Sequence, residues 1–217
     1  MKKIIIIGAG PLGIEVLETI NLINVLSGKQ VYICQGFLDD DKEKWNTSIL
    51  EIPILGPIAE ANKFRDSVFV FALGSPNNYY KREEIFEKIG IGQFQLETII
   101  HPSAVVSRLA RIDKGCLIMP YSIIGPGAHL NCCVIVSPHV TVNHGVEIGD
   151  FTIIAGNVSI AGEVTVGRSC YLGMGSQIKG ELTLEDYCLV GMGSNVLDNV
   201  ATKTVVAGNP ARILKGT

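Results

Sequence analysis

The sequence predicts two folds in succession, an α/β Rossmann-like unit followed by an all-β parallel β-helix built from hexapeptide repeats. Three observations lead to this prediction. Near the start of the chain, a short apolar strand runs into a glycine-rich turn and a helix. From Val106 to Val196 every sixth residue is aliphatic without a break. The residue two positions before each of these is mostly small, as expected for a second inward-facing position.

The first hundred residues alternate between strand and helix patterns, which predicts a small parallel sheet. The apolar run Lys3–Ile7 is typical of a buried strand, and the stretch after it is helical to about Leu26. The remaining predicted elements are a strand at Val31–Leu38, an acidic turn at Asp39–Asp41, a short helix at Pro57–Phe64, a strand at Val68–Leu73 and a helix at Asn77–Ile89.

The six-residue pattern sets in near His101-Pro102 and ends after Asn199. A chain that turns a corner every six residues stacks coil on coil, and these hexads would make about five coils of three faces. We therefore predict a Rossmann-like domain over residues 1–98 and a β-helix domain with a C-terminal tail over residues 99–217.

The composition favours an oligomer, because 47% of the residues are hydrophobic and only 18% are charged. The flat sides of a β-helix also need covering, and its threefold shape predicts a homotrimer. The net charge of −3 provides no attraction to nucleic acid or to an anionic membrane. No apolar run approaches the ~20 residues of a membrane span. No signal-peptide pattern is present, so we expect a cytoplasmic protein.

Gly8-x-Gly10-x-x-Gly13 lies between the first predicted strand and helix. These glycines allow a tight turn and the close approach of a phosphate to the helix N-terminus. The domain is about half the size that a dinucleotide site requires, and Asp39 comes later than the pattern for NAD demands. A mononucleotide or nucleotide-sugar phosphate is the better fit, and a turn rich in glycine only for packing is the alternative.

His144 lies at a predicted corner of the β-helix and is our candidate general base. A neutral imidazole can take a proton from an amine or hydroxyl that attacks a thioester. Glu147, Asp150 and Glu163 are candidates to orient it. Residues eighteen apart stack on successive coils, which places Glu163 beside Gly145. A histidine exposed on a turn is the alternative interpretation.

The histidines also allow a zinc-binding interpretation. His139 and His144 are five residues apart, with His129 and His101 upstream, and histidines on adjacent coils can converge on zinc. Trimeric left-handed β-helix carbonic anhydrases place a third histidine well upstream, but the position two coils before His139 is Ser103. The six cysteines show no C-x-x-C pair. We therefore expect no metal and no disulfide.

Glycines recur at corners of the later coils, at Gly162, Gly173, Gly175, Gly191 and Gly193. Small residues at these places leave a groove in which a long ligand can lie along the stack. Glycine also supplies the left-handed turn conformation at a corner. The sequence leaves both interpretations open.

Taken together, these features resemble the sugar O-acyltransferase family over nearly the whole chain. That family contains sialic acid O-acetyltransferases and nucleotide-sugar N-acetyltransferases of bacterial glycan synthesis, and the chain is most similar to those that act on UDP-4-amino sugars in the bacillosamine pathway. The matching stretches are Ile7–Gly13, Gly36–Asp41, Ala72–Gly74, Ile118–Tyr121, Asn143-His144 with Ile148–Phe151, and Gly208–Ala211.

The resemblance implies a left-handed β-helix, a homotrimer, acetyl-CoA as co-substrate and a nucleotide sugar held by the N-terminal domain. His144 matches the family's general base, at the interface between neighbouring β-helices. The candidate substrate-binding residues are Gly10, Pro11, Leu12, Asp39, Asp40 and Gly74. The candidate coenzyme-binding residues are Gly162, Ile153, Gly173 and Gly191.

Two departures from the family pattern bear on the site. The family usually has an acidic residue directly after the base, where this chain has Gly145. It often has a second histidine where this chain has Ile153, so a coenzyme contact there would be apolar. The carboxylate that orients His144 must then come from elsewhere, and Glu163 is our candidate.

The sequence therefore predicts an acetyl-CoA-dependent acetyltransferase that N-acetylates a nucleotide-linked amino sugar in bacterial glycan biosynthesis. Three alternatives remain. One is O-acetylation of sialic acid or another sugar, the second is a non-catalytic trimeric scaffold that binds a sugar nucleotide, and the third is a zinc-dependent γ-carbonic-anhydrase-like enzyme.

Overall fold

The computed structural model describes residues 1–216, which form two compact units. The first contains Met1–Leu73 and Glu83–Pro102, and the second contains Gly74–Arg82 and the chain from Ser103 onward. No sequence pattern indicates that residues 74–82 group with the second unit. The β-helix domain predicted from the sequence ends at Thr217, which lies outside the described residues.

The first unit is built on a mostly parallel sheet. The helices and strands of the first hundred residues are β1 (Lys2–Ile7), α1 (Pro11–Leu26), β2 (Tyr32–Leu38), β3 (Ser48–Ile49), β4 (Ile52–Gly56), β5 (Val68–Phe71), α2 (Arg82–Ile89) and β6 (Ile99–Ile100). The sheet has the order β3-β4-β2-β1-β5, in which β1 pairs in parallel with β2 and β5. Only β3 is antiparallel to its neighbour β4. This confirms the predicted Rossmann-like α/β unit.

Strand β1 lies inside this sheet, between β2 and β5, and its last four residues, Ile4–Ile7, are fully buried. Helix α1 buries Val16, Leu17 and Ile20. Burying each such side chain contributes about 1.5–3 kcal/mol, which explains why β1 is apolar over its buried residues, Ile4–Ile7. The turn from β1 into α1 lies at the carboxyl end of this interior strand, where open parallel sheets bind ligands.

The second unit is a left-handed parallel β-helix of two-residue strands on three faces, which confirms the predicted fold class. The first face holds β7 (Val105–Val106), β10 (Ile123–Ile124), β13 (Thr141–Val142), β16 (Ser159–Ile160), β19 (Gln177–Ile178) and β22 (Asn195–Val196). The second face holds β8 (Arg111–Ile112), β11 (His129–Leu130), β14 (Glu147–Ile148), β17 (Thr165–Val166) and β20 (Thr183–Leu184). The third face holds β9 (Leu117–Ile118), β12 (Ile135–Val136), β15 (Ile153–Ile154), β18 (Tyr171–Leu172), β21 (Leu189–Val190), β23 (Thr204–Gly208) and β24 (Ala211–Gly216).

The two-residue strands of one face pair in parallel with a register of one coil, so that Val142 lies between Ile124 and Ile160. The last strand, β24, is antiparallel to β23. The aliphatic residues of the hexads fill the interior, and those from Ile118 to Val196 are buried. Three of the six cysteines, Cys116, Cys170 and Cys188, belong to the same apolar interior. None of the helices within residues 1–216 is long and apolar enough to cross a membrane.

The corners between faces repeat one backbone conformation every six residues. The residues with positive φ in this series are Gly115, Tyr121, Gly127, Cys133, His139, Gly145, Phe151, Asn157, Glu163, Ser169, Gly175, Glu181, Tyr187 and Gly193. Most are not glycine, so this β-helix accepts ordinary side chains in the left-handed region. Gly175 and Gly193 hold this conformation, whereas Gly162, Gly173 and Gly191 do not. The latter three glycines therefore need a different explanation.

Candidate active site

His144 follows β13 and lies at the corner between the first and second faces. We call this corner the histidine edge, and its turn positions on successive coils are Gly127, Gly145, Glu163 and Glu181. The turns at Gly145, Glu163 and Glu181 are each held to the previous coil by a backbone hydrogen bond, as from Glu163 N to His144 O at 3.0 Å. The Asn143 side chain adds a bond from its Nδ2 to Ile160 O at 2.8 Å. The backbone beneath the imidazole is therefore fixed.

Gly162 makes room for the imidazole. A Cβ on Gly162 would lie 2.3 Å from Cε1 and 2.5 Å from Nε2 of His144, much closer than such atoms approach. Because φ of Gly162 is not positive, conformational freedom does not explain this glycine. Its role in the structure is to let the ring of His144 lie over the next coil.

Glu163 lies beside the other nitrogen of the same ring. Its Oε1 is 3.4 Å from His144 Nδ1, and the two side chains are 62% and 65% exposed. An ion pair so open to water contributes little stability. A carboxylate at this position can nevertheless accept a hydrogen bond from Nδ1–H and so orient the ring. Asp150 is engaged elsewhere, since its Oδ1 accepts a bond from Cys132 N at 2.8 Å. The geometry thus favours Glu163 over Asp150 as the partner of His144.

In the first unit, the three glycines of the turn from β1 to α1 differ in what surrounds them. A Cβ on Gly8 would lie 2.9 Å from Ala72 O, and one on Gly13 would lie 2.0 Å from Gly8 O, so packing requires both glycines. Gly10 has no atom within 4 Å of that position and an ordinary φ of −94°. Gly10 is the N-cap of α1, and without a side chain it leaves this end of the helix open. Pro11 and Leu12 are the first two residues of the helix.

Asp39 braces this turn. Its Oδ2 accepts a hydrogen bond from Ala9 N at 2.7 Å, and its Oδ1 accepts one from Asp41 N at 2.9 Å. Lys44 Nζ lies 3.3 Å from Oδ2. Burial by itself would raise the pKa of Asp39, but these bonds from Asp41, Ala9 and Lys44 outweigh it and lower the pKa below its usual value. The carboxylate therefore holds the turn in its ionised form.

Asp40 also stabilises a backbone segment, because its Oδ1 accepts a hydrogen bond from Ile58 N at 2.9 Å. That bond fixes the start of the 3₁₀ helix Ile58–Lys63. The sequence places both aspartates in the acceptor site. The structure shows that they order the backbone around Gly10, and direct contact with a substrate stays a prediction for both.

Gly74 and Ile153, predicted to bind different ligands, lie against each other in the second unit. A Cβ on Gly74 would lie 2.8 Å from Ile153 Cδ1 and 3.1 Å from Ile135 Cδ1. Packing on the third face explains this glycine. Ile153 is only 5% exposed, so its side chain offers little surface to a coenzyme in this structure.

Gly173 and Gly191 lie on a different edge from Gly162, between the third and first faces. A Cβ on Gly173 would lie 2.5 Å from Val190 O, and one on Gly191 would lie 2.6 Å from the Cβ of Ala207. The four candidate coenzyme residues are therefore not brought together within one chain, and only Gly162 adjoins His144.

The other histidines are separate from His144. The His139 ring stacks on Tyr121 with centroids 5.1 Å apart, at the edge between the third and first faces. His129 Nε2 lies 3.1 Å from Asp113 Oδ2 on the second face. Within residues 1–216, no three His, Cys, Asp or Glu side chains form a group that could hold a metal ion.

Arg82 is a residue that the sequence patterns do not single out. It is fully buried in the second unit, where its guanidinium donates to Phe151 O, and burial lowers its pKa to about 10. Tyr79 OH donates to Tyr187 O at 3.4 Å. These bonds hold residues 74–82 on the corner that carries Phe151.

Comparison with known proteins shows what each part of the chain is similar to. Residues 3–89 match the PglD N-terminal domain. The chain is 32% identical over 129 residues to the UDP-N-acetylbacillosamine N-acetyltransferase of Bacillus subtilis (strain 168), a match that covers 55% of this chain and 52% of that protein. The matched region thus spans about half the length of that curated relative.

Solved structures extend the likeness to the whole chain. The acetyltransferase domain of PglB from Neisseria gonorrhoeae FA1090 has a TM-score of 0.82 and 25% identity, with 99% of this chain and 100% of that one covered. The same domain with acetyl coenzyme A bound is 27% identical, with a TM-score of 0.82 and coverage of 98% and 99%. PerB from Caulobacter crescentus, in complex with CoA and GDP-perosamine, shares the fold with a TM-score of 0.83 at 22% identity, over 99% and 98% of the two chains. The chain is thus similar over nearly its whole length to acetyltransferases with a left-handed β-helix, and its residues 3–89 match the PglD N-terminal domain.

Proposed function

We propose that this protein transfers the acetyl group of acetyl-CoA to the amino group of a nucleotide-linked sugar. The observation that carries the proposal is His144, whose imidazole lies exposed over Gly162 in a β-helix of the acetyltransferase type. The relative from Bacillus subtilis is named for N-acetylation of such a sugar, and the domain from Neisseria gonorrhoeae was solved with acetyl coenzyme A.

The first unit supplies the acceptor site in this proposal. The N-terminus of α1 presents unpaired backbone N–H groups and the positive end of the helix dipole. Because Gly10 carries no side chain and has no neighbouring atom within 4 Å, a diphosphate can approach this end closely. Asp39 keeps the turn in place through Ala9, so Gly10, Pro11 and Leu12 form the proposed phosphate contact.

The reaction at the histidine edge needs one base. The acceptor nitrogen attacks the carbonyl carbon of the thioester, and a new N–C bond forms as the carbonyl oxygen takes up charge. His144 accepts the proton that the nitrogen loses. The C–S bond then breaks, the sulfur takes that proton, and an acetamide and free CoA leave. A positioned base contributes typically 10²–10⁴-fold to such a step, and orientation of the two substrates contributes more.

Acetyl-CoA fits the histidine edge at Gly162, because this position offers bare backbone next to the imidazole. A thioester held there would have its carbonyl close to His144. In this proposal a backbone N–H near Gly162 would contact the developing oxyanion. Gly173 and Gly191 face another edge and could serve only a coenzyme that extends to a neighbouring copy.

A homotrimer is part of this proposal. The first face exposes aliphatic side chains on its early coils, with Val105 63% and Ile123 46% exposed. Packing of three copies along this face would cover them, and the histidine edge borders the same face. The base would then work in the crevice between neighbouring chains, as the family resemblance implies.

The test is an acetyl-transfer assay that follows free CoA thiol with matched acceptors. We expect turnover with a nucleotide-linked 4-amino sugar, and none with the same nucleotide sugar carrying a hydroxyl in place of the amine. Faster transfer to the hydroxyl compound or to free sialic acid would make the protein an O-acetyltransferase. Absence of transfer to every acceptor, together with binding of nucleotide sugars, would indicate a non-catalytic scaffold.

A further inference from the structure

We infer that the carboxylate that orients His144 comes from the following coil, from Glu163, and that Gly145 is the gap that lets it reach the ring. This inference rests on the proposed function for its catalytic meaning, since Glu163 acts through His144 and is a positioning residue. The contact itself stands on the geometry of the histidine edge.

Gly145 and Glu163 compete for one place in space. A Cβ on Gly145 would lie 2.3 Å from Oε1, 2.6 Å from Cδ and 2.7 Å from Oε2 of Glu163. A side chain at residue 145 would thus occupy the volume where the Glu163 carboxylate now lies. The carboxylate can pair with His144 only because residue 145 has no side chain.

Conformation alone does not require glycine at this position. Gly145 has a φ of +63°, but Glu163 itself has +59° and Glu181 has +63° at the same turn position of the next two coils. The histidine edge therefore accepts a side chain in the left-handed region. What is special at residue 145 is the carboxylate that reaches over it from the next coil.

The chemical consequence is a defined tautomer of the base. Glu163 Oε1 lies 3.4 Å from Nδ1, so the carboxylate favours the neutral tautomer whose Nδ1–H donates a hydrogen bond to it. Nε2 is then left with a free lone pair, and this is the nitrogen that accepts a proton from the acceptor amine. Without Glu163 the ring can rotate and exchange tautomers. This lowers the fraction of molecules in which Nε2 is unprotonated and faces the acceptor amine.

A double-mutant cycle tests whether a side chain at residue 145 acts by displacing the Glu163 carboxylate. We expect Glu163→Ala to lower kcat about 10-fold, with little change in KM for either substrate, because the contact is exposed and orients rather than binds. Gly145→Ala should cause a similar loss by displacing the carboxylate. The double variant should lose no more than Glu163→Ala alone, because no carboxylate remains to be displaced.

Matched controls exist on the same edge. Gly127 has a φ of +72° at the same turn position one coil earlier, and its nearest atom to a new Cβ is Gly145 N at 3.7 Å. Gly127→Ala thus introduces equal backbone strain with nothing to displace. Glu181→Ala removes a carboxylate from the same turn position one coil later. We expect both controls to keep kcat within about 2-fold of the parent.

The tautomer provides a readout that does not depend on activity. Long-range ¹H–¹⁵N correlation spectra of protein labelled in its four histidines, recorded above the ordinary titration range of histidine, should show His144 protonated on Nδ1. In Glu163→Ala and in Gly145→Ala the signal should move toward the Nε2-protonated form, whereas Gly127→Ala should leave it unchanged.

Two results would overturn the inference. One is a kcat of Glu163→Ala equal to that of an active parent, and the other is a multiplied loss of about 100-fold in the double variant, as independent effects would give. If no acceptor is acetylated by the parent while the tautomer still responds to Glu163, the proposed function fails and the pairing survives.

Discussion

At the residue scale, the structure separates glycines that look alike in the sequence. Gly8 and Gly13 are required by packing, and Gly10 by neither packing nor conformation. Gly175 and Gly193 serve the left-handed corner, whereas Gly162 clears room for an imidazole. A new Cβ would meet close atoms at three of these glycines and none within 4 Å at Gly10, Gly175 and Gly193. Substitution by alanine should therefore have different consequences for fold and for function.

Gly162→Ala is the sharpest test at this scale. The new Cβ would push the His144 ring off its present position, so we expect kcat to fall by about 100-fold, within the range that a misplaced base can lose. The thermal unfolding midpoint should change little, because φ is ordinary and the displaced ring is exposed. Gly127→Ala is the control that should stay active, because it adds a methyl group on the same edge with no atom nearer than 3.7 Å apart from its chain neighbours. An unaltered kcat for Gly162→Ala would show that the present ring position is not used.

At the element scale, the turn from β1 to α1 and the acidic turn after β2 are joined by a hydrogen bond and stabilise each other. The acidic turn supplies Asp39, which bonds to Ala9 in the glycine turn and to Asp41 in its own. In an NAD site an acidic residue after the second strand binds the ribose. Here the Asp39 carboxylate is instead bonded to the backbone of the two turns. The sequence reveals the strand, the glycines and the aspartates, but it contains no sign of the bond between the two turns.

Asp39→Asn should destabilise the protein by about 1–3 kcal/mol at neutral pH, because hydrogen bonds to a charged acceptor are lost or weakened. The pKa of Asp39 is lowered in the folded protein. Its stabilising contribution is therefore complete above the unfolded value of about 3.9 and is lost as the pH falls through the folded value. Urea unfolding of parent and variant should give midpoints that differ at pH 7 and converge in acid. A difference that stays constant with pH would contradict the assignment.

Predictability also differs between elements. The hexad pattern predicts all three faces of the β-helix, because each inward position must hold an aliphatic side chain. Strands β3 and β4 went unpredicted, since Ser48–Ile49 and Ile52–Gly56 are short and lack alternation. The pairing of His144 with Glu163 follows from the eighteen-residue coil, whereas the burial of Arg82 depends on tertiary packing that no local pattern records.

At the scale of the whole molecule, the exposed aliphatics of the first face predict assembly. We expect light scattering to report three times the 23.3 kDa mass of the chain. Ile123→Glu places a charge on the proposed interface and should shift the mass toward that of one chain. Phe94→Glu, which changes a more exposed apolar residue in the first unit, should leave the mass unchanged. A parent protein with the mass of one chain at micromolar concentration would contradict the trimer.

The central claim is that His144 is the base for acetyl transfer, and single-turnover transfer by His144→Ala tests it most directly. The measurement follows acetylation of a nucleotide-linked amino sugar, with binding of acetyl-CoA and of the acceptor recorded separately. We predict that both ligands still bind while the transfer rate falls by at least about 100-fold. A variant that binds both ligands and transfers acetyl at the parent rate would contradict the account.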